Sequence, residues 1–397
     1  MLNHKLGIKN LKSFLQLLEN PQNDIKNIIH IAGTNGKGST LSFLASLLKA
    51  QNKKVGLYTS PHLICVRERF RLNDDLISEQ DFQSFMKIVE ERNKVLPSSE
   101  QLTYFEKLTA VAFLYYAREQ TDFLLLETGL GGRFDATNII EKPLISLITN
   151  ISLEHQDYLG DTIEKIAFEK ACILKENVPF ITTVSNKKAL KVIKERAKKI
   201  NAKEIPLGNY KIDNAKLGLK GRHQRINAKL ALTAFDYIIK SNNPIDYEAI
   251  YQEQSWIGRF QEFKISNKSV ILDAAHNPAG AEVLKKALDD YYPNTKKIWL
   301  LGFLKSKDAV LILKKLISKG DKIIFTKGST GDFWDPDELT QIIHKIYDMP
   351  ALSFDNYKDA LDIFKTLVKE KDLGIITGSI YMLGDILPNL FETYSDF

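Results

Sequence analysis

One stretch of the chain admits few folds: residues 27–39, NIIHIAGTNGKGS, an apolar run that breaks into a glycine-rich turn carrying one lysine and one serine. The run reads as a strand buried on both faces, and TLSFLASLLKA after it reads as a helix. Strand, glycine loop and helix in that order turn several backbone N–H groups and the positive end of a helix onto a phosphate. Gly33, Gly36 and Gly38 are expected to supply unusual dihedrals, and Lys37 to reach the outer phosphates. Ser39 or Thr40 is expected to cap the helix beside a phosphate or metal. The loop departs from standard P-loop spacing, because Ile31 stands five residues before Gly36, where that pattern has glycine.

The rest of the chain can be placed around this turn. A second strand, VGLYT, ends at Ser60-Pro61-His62, and the charged segment VRERFRLNDD after it reads as an exposed loop. Helical spacing predicts helices over 79–93 and 104–118. The runs DFLLLE and LISLIT read as buried parallel strands, each followed by polar chemistry: Glu127 and GLGGRFDATN after the first, Asn150 and LEHQDYLG after the second. A helix over 162–175, a strand near 179–184 and a basic helix to about residue 200 follow. This alternation predicts a doubly wound, mostly parallel α/β sheet whose ligands sit at the carboxyl ends of its strands.

A helix over 221–240 and a break around Gly258-Arg259-Phe260 lead to a hydrophilic stretch, after which the alternation restarts at Val270. The spacing predicts two domains with a cleft between them. Residues 1–265 would form the P-loop domain and 266–397 a smaller Rossmann-like α/β domain of about 130 residues.

Composition excludes several classes. The 397 residues are 44% apolar and 26% charged, ordinary for a globular chain. The net charge of +6 is spread over lysine-bearing helices with interleaved glutamates, so no nucleic-acid footprint is visible. The only cysteines, Cys65 and Cys172, lie far apart, which argues against a disulfide framework or a cysteine-based zinc site. No run approaches the roughly 20 apolar residues of a membrane span, and the first residues lack a signal-peptide pattern. A cytoplasmic monomer acting on small molecules, with no nucleic acid or membrane partner, is the expectation.

Four polar elements, the glycine loop, Ser60, Glu127 and His155, fall on carboxyl ends of strands of one sheet. Magnesium takes oxygen ligands with only one or two carboxylates, and Glu127 beside a phosphate loop suits that role. His155 alone would more often be structural, but its place on a third rim strand favours a ligand. Spacing alone leaves Lys170 as a surface lysine in an i,i+4 pattern. It leaves Asp273 and His276 as caps of the helix starting at Pro278, unless their position at a strand end has a function.

The motifs together resemble one family, the folylpolyglutamate and dihydrofolate synthases among the Mur-ligase-like ATP-dependent amide ligases. They are AGTNGKGS (32–39), TSPHL (59–63), ETGLGGRFDATN (127–138), LEHQDYLG (153–160), EKACI (169–173), GRHQRINA (221–228), DAAHNP (273–278) and TGSIY (377–381). They run in the family's order over nearly the whole chain, and the first and third together are specific to this branch. Phe134, Cys172 and Ala274 depart from its usual leucine, glycine and glycine, which bears on substrate fit rather than reaction type.

The resemblance implies an ATP-binding set of Gly36, Lys37, Gly38, Ser39, Asn227, Arg259 and Asp273, magnesium held by Ser60, Glu127 and His155, and a second magnesium ion that Lys170 would help organise. It implies a pterin or folate pocket at Thr103, Tyr104, Phe105, Glu106, Phe134, Asp135 and Ala136. Lys170 matches a lysine that the family carbamylates to N6-carboxylysine, and with Lys37, His276 and Ser379 it is assigned to the catalytic machinery. The implied reaction uses ATP to join L-glutamate to dihydropteroate, to the γ-carboxyl of a reduced folate, or to both. Two other readings are weaker. A peptidoglycan-type ligase would need more chain before the phosphate loop. A non-catalytic P-loop switch would have little use for Ser60, Glu127 and His155 together.

Overall fold

The computed structural model describes residues 8–213, 216–239, 245–265 and 267–390. Contacts divide the chain into two compact units. One runs to Lys216 and takes in Gln224–Gln254; the other comprises Leu217–His223 and the chain from Ser255 onward.

The first unit is built on a seven-stranded sheet of β1 (Ile28–Ala32), β2 (Val55–Tyr58), β3 (Phe70–Leu72), β4 (Asp75–Leu76), β5 (Phe123–Glu127), β6 (Ile145–Ile148) and β7 (Phe180–Thr182). Its order is β4-β3-β2-β5-β1-β6-β7. β1 lies between β5 and β6, parallel to both, with Ile31 opposite Glu127 and Leu147. Every residue of β1, β2, β5 and β6 is buried, as the uninterrupted apolar runs require of parallel strands covered on both faces. Helix Lys37–Ala50 is buried from Gly38 through Leu48, which its all-round apolar sequence demands. Helix Gln224–Ile238 packs along it, and Phe43 meets Tyr251 with ring centroids 4.6 Å apart.

The segment expected to be an exposed loop after Pro61 is instead a 3₁₀ turn, Val66–Arg69, followed by sheet: β3 pairs antiparallel with β2, and β4 with β3. Phe70 is fully buried. The charges of VRERFRLNDD hid a strand whose apolar positions alternate and whose partner is a free sheet edge. Helix Ile163–Ala171 also ends earlier than its pattern suggests.

The second unit holds a six-stranded sheet of β8 (Gln261–Ile265), β9 (Lys268–Asp273), β10 (Lys297–Leu301), β11 (Lys322–Phe325), β12 (Leu352–Ser353) and β13 (Leu373–Thr377), ordered β12-β11-β10-β13-β9-β8. β8 corrects the expected division near residue 265. It pairs antiparallel with β9 from Gln261 opposite Leu272 to Ile265 opposite Lys268, so Lys264, Ile265, Lys268 and Ser269 of the hydrophilic stretch are strand residues within this unit. Alternating polar residues on an edge strand gave it the look of a linker. Phe303, Phe325, Trp299 and Phe364 fill the faces of this sheet. Among the described residues no helix is long and apolar enough to cross a membrane.

Candidate active site

The glycine loop after β1 is pinned by the strand end of β6. Thr34 N donates to Asn150 O (2.8 Å) and Asn35 N to Asn150 Oδ1 (2.7 Å), while Thr149 Oγ1 donates to Asn35 O (2.8 Å). Gly33 lies so close to Thr149 that a Cβ on it would stand 1.7 Å from Thr149 Oγ1. Gly36 adopts φ +88°, and a Cβ there would lie 2.5 Å from Asn227 Oδ1. Gly38 does not share this geometry: it sits inside helix Lys37–Ala50, whose N-cap is Gly36. Ser39 and Thr40 therefore lie within the helix and do not cap it. Ser39 Oγ accepts from Gln224 Nε2 at 3.3 Å, and Asn227 Nδ2 donates to Gln224 Oε1 at 2.9 Å.

A Gly36→Ala enzyme is expected to bind ATP at least tenfold more weakly, because a left-handed alanine costs about 1–2 kcal/mol and Asn227 must also move. Titration with a fluorescent ATP analogue checks this.

Lys37 Nζ folds back onto the loop, donating to Gly33 O (3.0 Å) and Thr34 O (3.3 Å), and stands 3.7 Å from Glu127 Oε1. Glu127, the last residue of β5, is buried and accepts from Ser60 N at 3.3 Å through its other oxygen. Parallel pairing of β1 with β5, and of β5 with β2, brings these three together. The Ser60–Pro61 peptide is cis, and the turn beyond it is shaped by Glu68, which accepts from Leu63 N, Ile64 N and Cys65 N. His155 is the N-cap of the short helix Gln156–Leu159, with φ +47°. Among the described residues no group of three or more His, Cys, Asp or Glu gathers at metal-binding distance.

Lys170 is not the surface residue its helical spacing suggests. It is 2% exposed, and its Nζ donates to Gly33 O and to Glu154 Oε1, both at 2.9 Å. Burial opposes the charge on Glu154, but Lys170 foremost, then Lys37, outweigh it and hold that carboxyl at about 2. On Lys170 burial prevails, pulling its ammonium below the ordinary value with help from Lys37, against the pull of Glu154. Glu154, Asn150 and Thr149 hold the loop and Lys170 in roles that sequence reasoning did not assign to them. The one available signal was that all three lie at the same strand end as His155.

The residues assigned to the acceptor pocket fall into two groups. Thr103 caps helix Tyr104–Glu119, and its N and Oγ1 both donate to Glu106 Oε2, at 2.8 and 2.7 Å. Phe105 packs on the neighbouring strand-end loop, where a Cβ on Gly129 would lie 2.6 Å from its ring. Tyr104 and Phe134 are exposed, and the Arg133 guanidinium lies 4.3 Å from the Phe134 ring centroid while pairing with Glu169 at 2.8 Å. Asp135 is buried, accepting from Leu130 N (2.8 Å), Thr137 N (3.0 Å) and Thr137 Oγ1 (2.5 Å). Burial pushes its carboxyl up despite these donors. Ala136 opens the 3₁₀ turn Ala136–Ile139 that Asp135 caps.

In the second unit, Thr377 at the end of β13 is in register with Asp273 at the end of β9. Asp273 accepts from Phe260 N (2.8 Å) and Ala275 N (2.9 Å), which ties the Gly258-Arg259-Phe260 turn to this strand end. Burial raises its carboxyl and Arg259 opposes that rise. The cap of helix Pro278–Tyr291 is Asn277, through Gly280 N at 2.7 Å, so neither Asp273 nor His276 serves as the cap. His276 Nδ1 lies 2.8 Å from Ala274 O. Gly378 N donates to Ala275 O at 3.1 Å, which sets the Gly378-Ser379 turn beside the DAAHNP loop. Ser379 Oγ is buried and has no hydrogen-bond partner among the described residues, a donor left unsatisfied at a strand rim.

Comparison with known proteins accords with this arrangement. The Mur ligase middle domain matches residues 31–244, and the dihydrofolate synthetase C-terminal domain matches residues 257–389. The dihydrofolate synthase/folylpolyglutamate synthase of Bacillus subtilis is 33% identical, over 97% of this chain and 95% of its own length. The crystal structure of a folylpolyglutamate synthase from Thermotoga maritima is similar with a TM-score of 0.83 at 32% identity, covering 97% of this chain and 93% of that one. A bifunctional folylpolyglutamate synthase/dihydrofolate synthase from Yersinia pestis, complexed with AMPPNP and a manganese ion, has a TM-score of 0.83 at 27% identity. That match covers 98% of this chain and 94% of that one.

Proposed function

The chain belongs to the dihydrofolate synthase/folylpolyglutamate synthase family of Mur-type ligases, and we propose that it joins L-glutamate both to dihydropteroate and to reduced folates. It is an ATP-dependent, ADP-forming ligase that adds glutamate to folate substrates. The observation carrying the two-acceptor reading is the ETGLGGRFDATN loop, complete but for Phe134 in place of the usual leucine, with Asp135 capping the turn at Ala136 and Phe134 exposed beside it.

A carboxylate is a poor electrophile, so the reaction proceeds through phosphorylation. An acceptor carboxylate oxygen attacks the γ-phosphorus of ATP, the bond to the β-phosphate oxygen breaks, and ADP departs from the resulting acyl phosphate. The glutamate amine then attacks the acyl carbon, phosphate leaves, and the amine's proton passes to a base. The loop from Gly33 to Ser39 binds the phosphates through its N–H groups, and Lys37 turns from its loop carbonyls to the transferring phosphoryl group. Positioning and charge neutralisation are most of what phosphoryl transfer needs.

Ser60, Glu127 and His155 would hold the divalent cation, magnesium or a similar hard ion, which when bound offsets the charge of the phosphates. Glu127 fits it: its carboxylate is buried, faces the Lys37 ammonium, and lies on the rim with Ser60. Lys170 is assigned the carbamylated role, which requires a neutral amine; burial favours that amine and Glu154 restrains it. In the second unit, Asp273 and Arg259 are assigned to the nucleotide and His276 with Ser379 to the glutamate half of the reaction.

The test is ATP turnover with L-glutamate and either dihydropteroate or monoglutamyl tetrahydrofolate. Both acceptors are expected to release ADP and phosphate. Turnover with tetrahydrofolate alone would reduce the reading to a folylpolyglutamate synthase, and turnover with neither would overturn it.

A further inference from the structure

β1 carries a histidine in the middle of an otherwise apolar strand. His30 is wholly buried, in register with Leu126 of β5 on one side and Ser146 of β6 on the other. Its Nε2 lies 2.8 Å from Thr137 Oγ1, and its Nδ1 has no hydrogen-bond partner among the described residues. The direction of each hydrogen bond follows from counting protons. A threonine hydroxyl has one hydrogen, and that of Thr137 goes to Asp135 Oδ1 at 2.5 Å. Thr137 Oγ1 can therefore only accept from His30, so Nε2 carries the proton. Burial, with the charge of Lys175, brings this imidazole down to about 3 and keeps it neutral, which leaves Nδ1 as a bare acceptor. The result is a one-way donor chain, His30 to Thr137 to Asp135, crossing from the strand to the turn Ala136–Ile139.

The same Asp135 gathers Leu130 N and Thr137 N, so it closes the loop on which Phe134 stands. The strand at the other end of the chain runs directly into Gly33. A buried histidine with an unpaired ring nitrogen is destabilising, and an aliphatic residue would pack β1 without that cost. What the histidine supplies and an aliphatic residue cannot is a directional link from the phosphate-loop strand to the acceptor loop.

We infer that His30 and Thr137 are positioning residues that fix the Gly129–Asp135 acceptor loop against the strand leading into the phosphate loop, and so set how well a pterin-bearing acceptor is held. This rests on the pocket assignment made above. The link acts on acceptor placement, where a displacement of a fraction of an ångström is enough to be felt, and leaves the N–H groups of the phosphate loop in place.

The experiment compares steady-state KM values for dihydropteroate and for ATP in Thr137→Val, Thr137→Ser, His30→Phe and Phe134→Ala. Thr137→Val keeps the shape and deletes the hydroxyl. It is expected to raise the KM for dihydropteroate about tenfold with the KM for ATP within twofold, and Thr137→Ser is expected to restore it. His30→Phe leaves the Thr137–Asp135 bond intact and should give the same selective rise; it carries the test if the valine variant does not fold. A purely structural role would lower the melting temperature and move both KM values together or neither, and either result overturns the inference. Phe134→Ala separates the premise from the link. If it leaves the dihydropteroate KM unchanged, the pocket assignment fails. If it raises that KM while Thr137→Val and His30→Phe do not, only the positioning role fails.

Discussion

A Glu127→Gln enzyme is expected to lose about three orders of magnitude in kcat while melting within a few degrees of the parent. The substitution is isosteric and keeps an acceptor for Ser60 N at 3.3 Å, so the β5 rim should stay in place. What it deletes is the one charge that Glu127, 4% exposed, presents 3.7 Å from Lys37. Removing one preorganised electrostatic group from an active site costs roughly 10²–10³ in rate; the Glu127 anion would act by holding Lys37 and, as a carboxylate ligand, the assigned cation, whose loss adds a further contribution. Two measurements separate these effects: kcat at saturating magnesium, and the magnesium concentration giving half-maximal rate. Both should move, the second upward. Activity within tenfold of the parent would remove Glu127 from the machinery altogether.

Lys170 carries the second large effect. Measured against the parent with Lys170 unmodified, Lys170→Ala is expected to destabilise the first unit by about 3–5 kcal/mol, because deleting one member of a buried ion pair strands the other. The partner left behind is Glu154, whose side chain is 8% exposed, and Gly33 O loses a donor as well. Chemical denaturation measures that cost. Turnover should fall below detection for a separate reason, since a carbamate on the lysine would present an anion where alanine presents nothing. Lys170→Glu is expected to retain part of the activity, rising with magnesium, because its carboxylate faces Glu154 and the two need a cation between them. Equal loss in Lys170→Ala and Lys170→Glu at every magnesium concentration would count against carbamylation, while leaving the stability result to stand on the ion pair.

These two residues also show how differently a chain discloses its parts. Glu127 could be read from the sequence because it ends an apolar run, and an apolar run buried on both faces places its last polar residue at a sheet rim. Lys170 could not, since a lysine beside a glutamate on a helix has the local pattern of a solvated face. Its burial depends on Gly132, whose missing side chain lets the strand-end loop approach the helix: a Cβ there would lie 2.7 Å from Glu169 O. His30 is a similar case. A histidine among isoleucines in a strand shows only that a polar group is buried, and its partner is 107 residues away.

The elements misread as loop and linker were hidden for a related reason. β3 and β4 are short, β4 and β8 stand at sheet edges, and all three mix polar with apolar residues, so their composition matched loop and linker until a pairing partner was known. Gly36 was evident from its type, because only glycine takes φ +88° without strain beside Asn227; the ordinary conformation of Gly38 was not, since position in the helix overrides residue type.

By itself, then, the sequence determined the parallel α/β architecture, the phosphate loop and the family, because periodicity, glycine placement and motif order are local properties that survive without a fold. Only the tertiary structure decided which charges share a buried environment. The Lys37–Glu127 contact, the Lys170–Glu154 pair on the Gly33 carbonyl, and the His30–Thr137–Asp135 chain all join segments that strand order, not sequence, makes neighbours. Their energies come from burial and mutual distance, quantities that exist only once the sheet has formed.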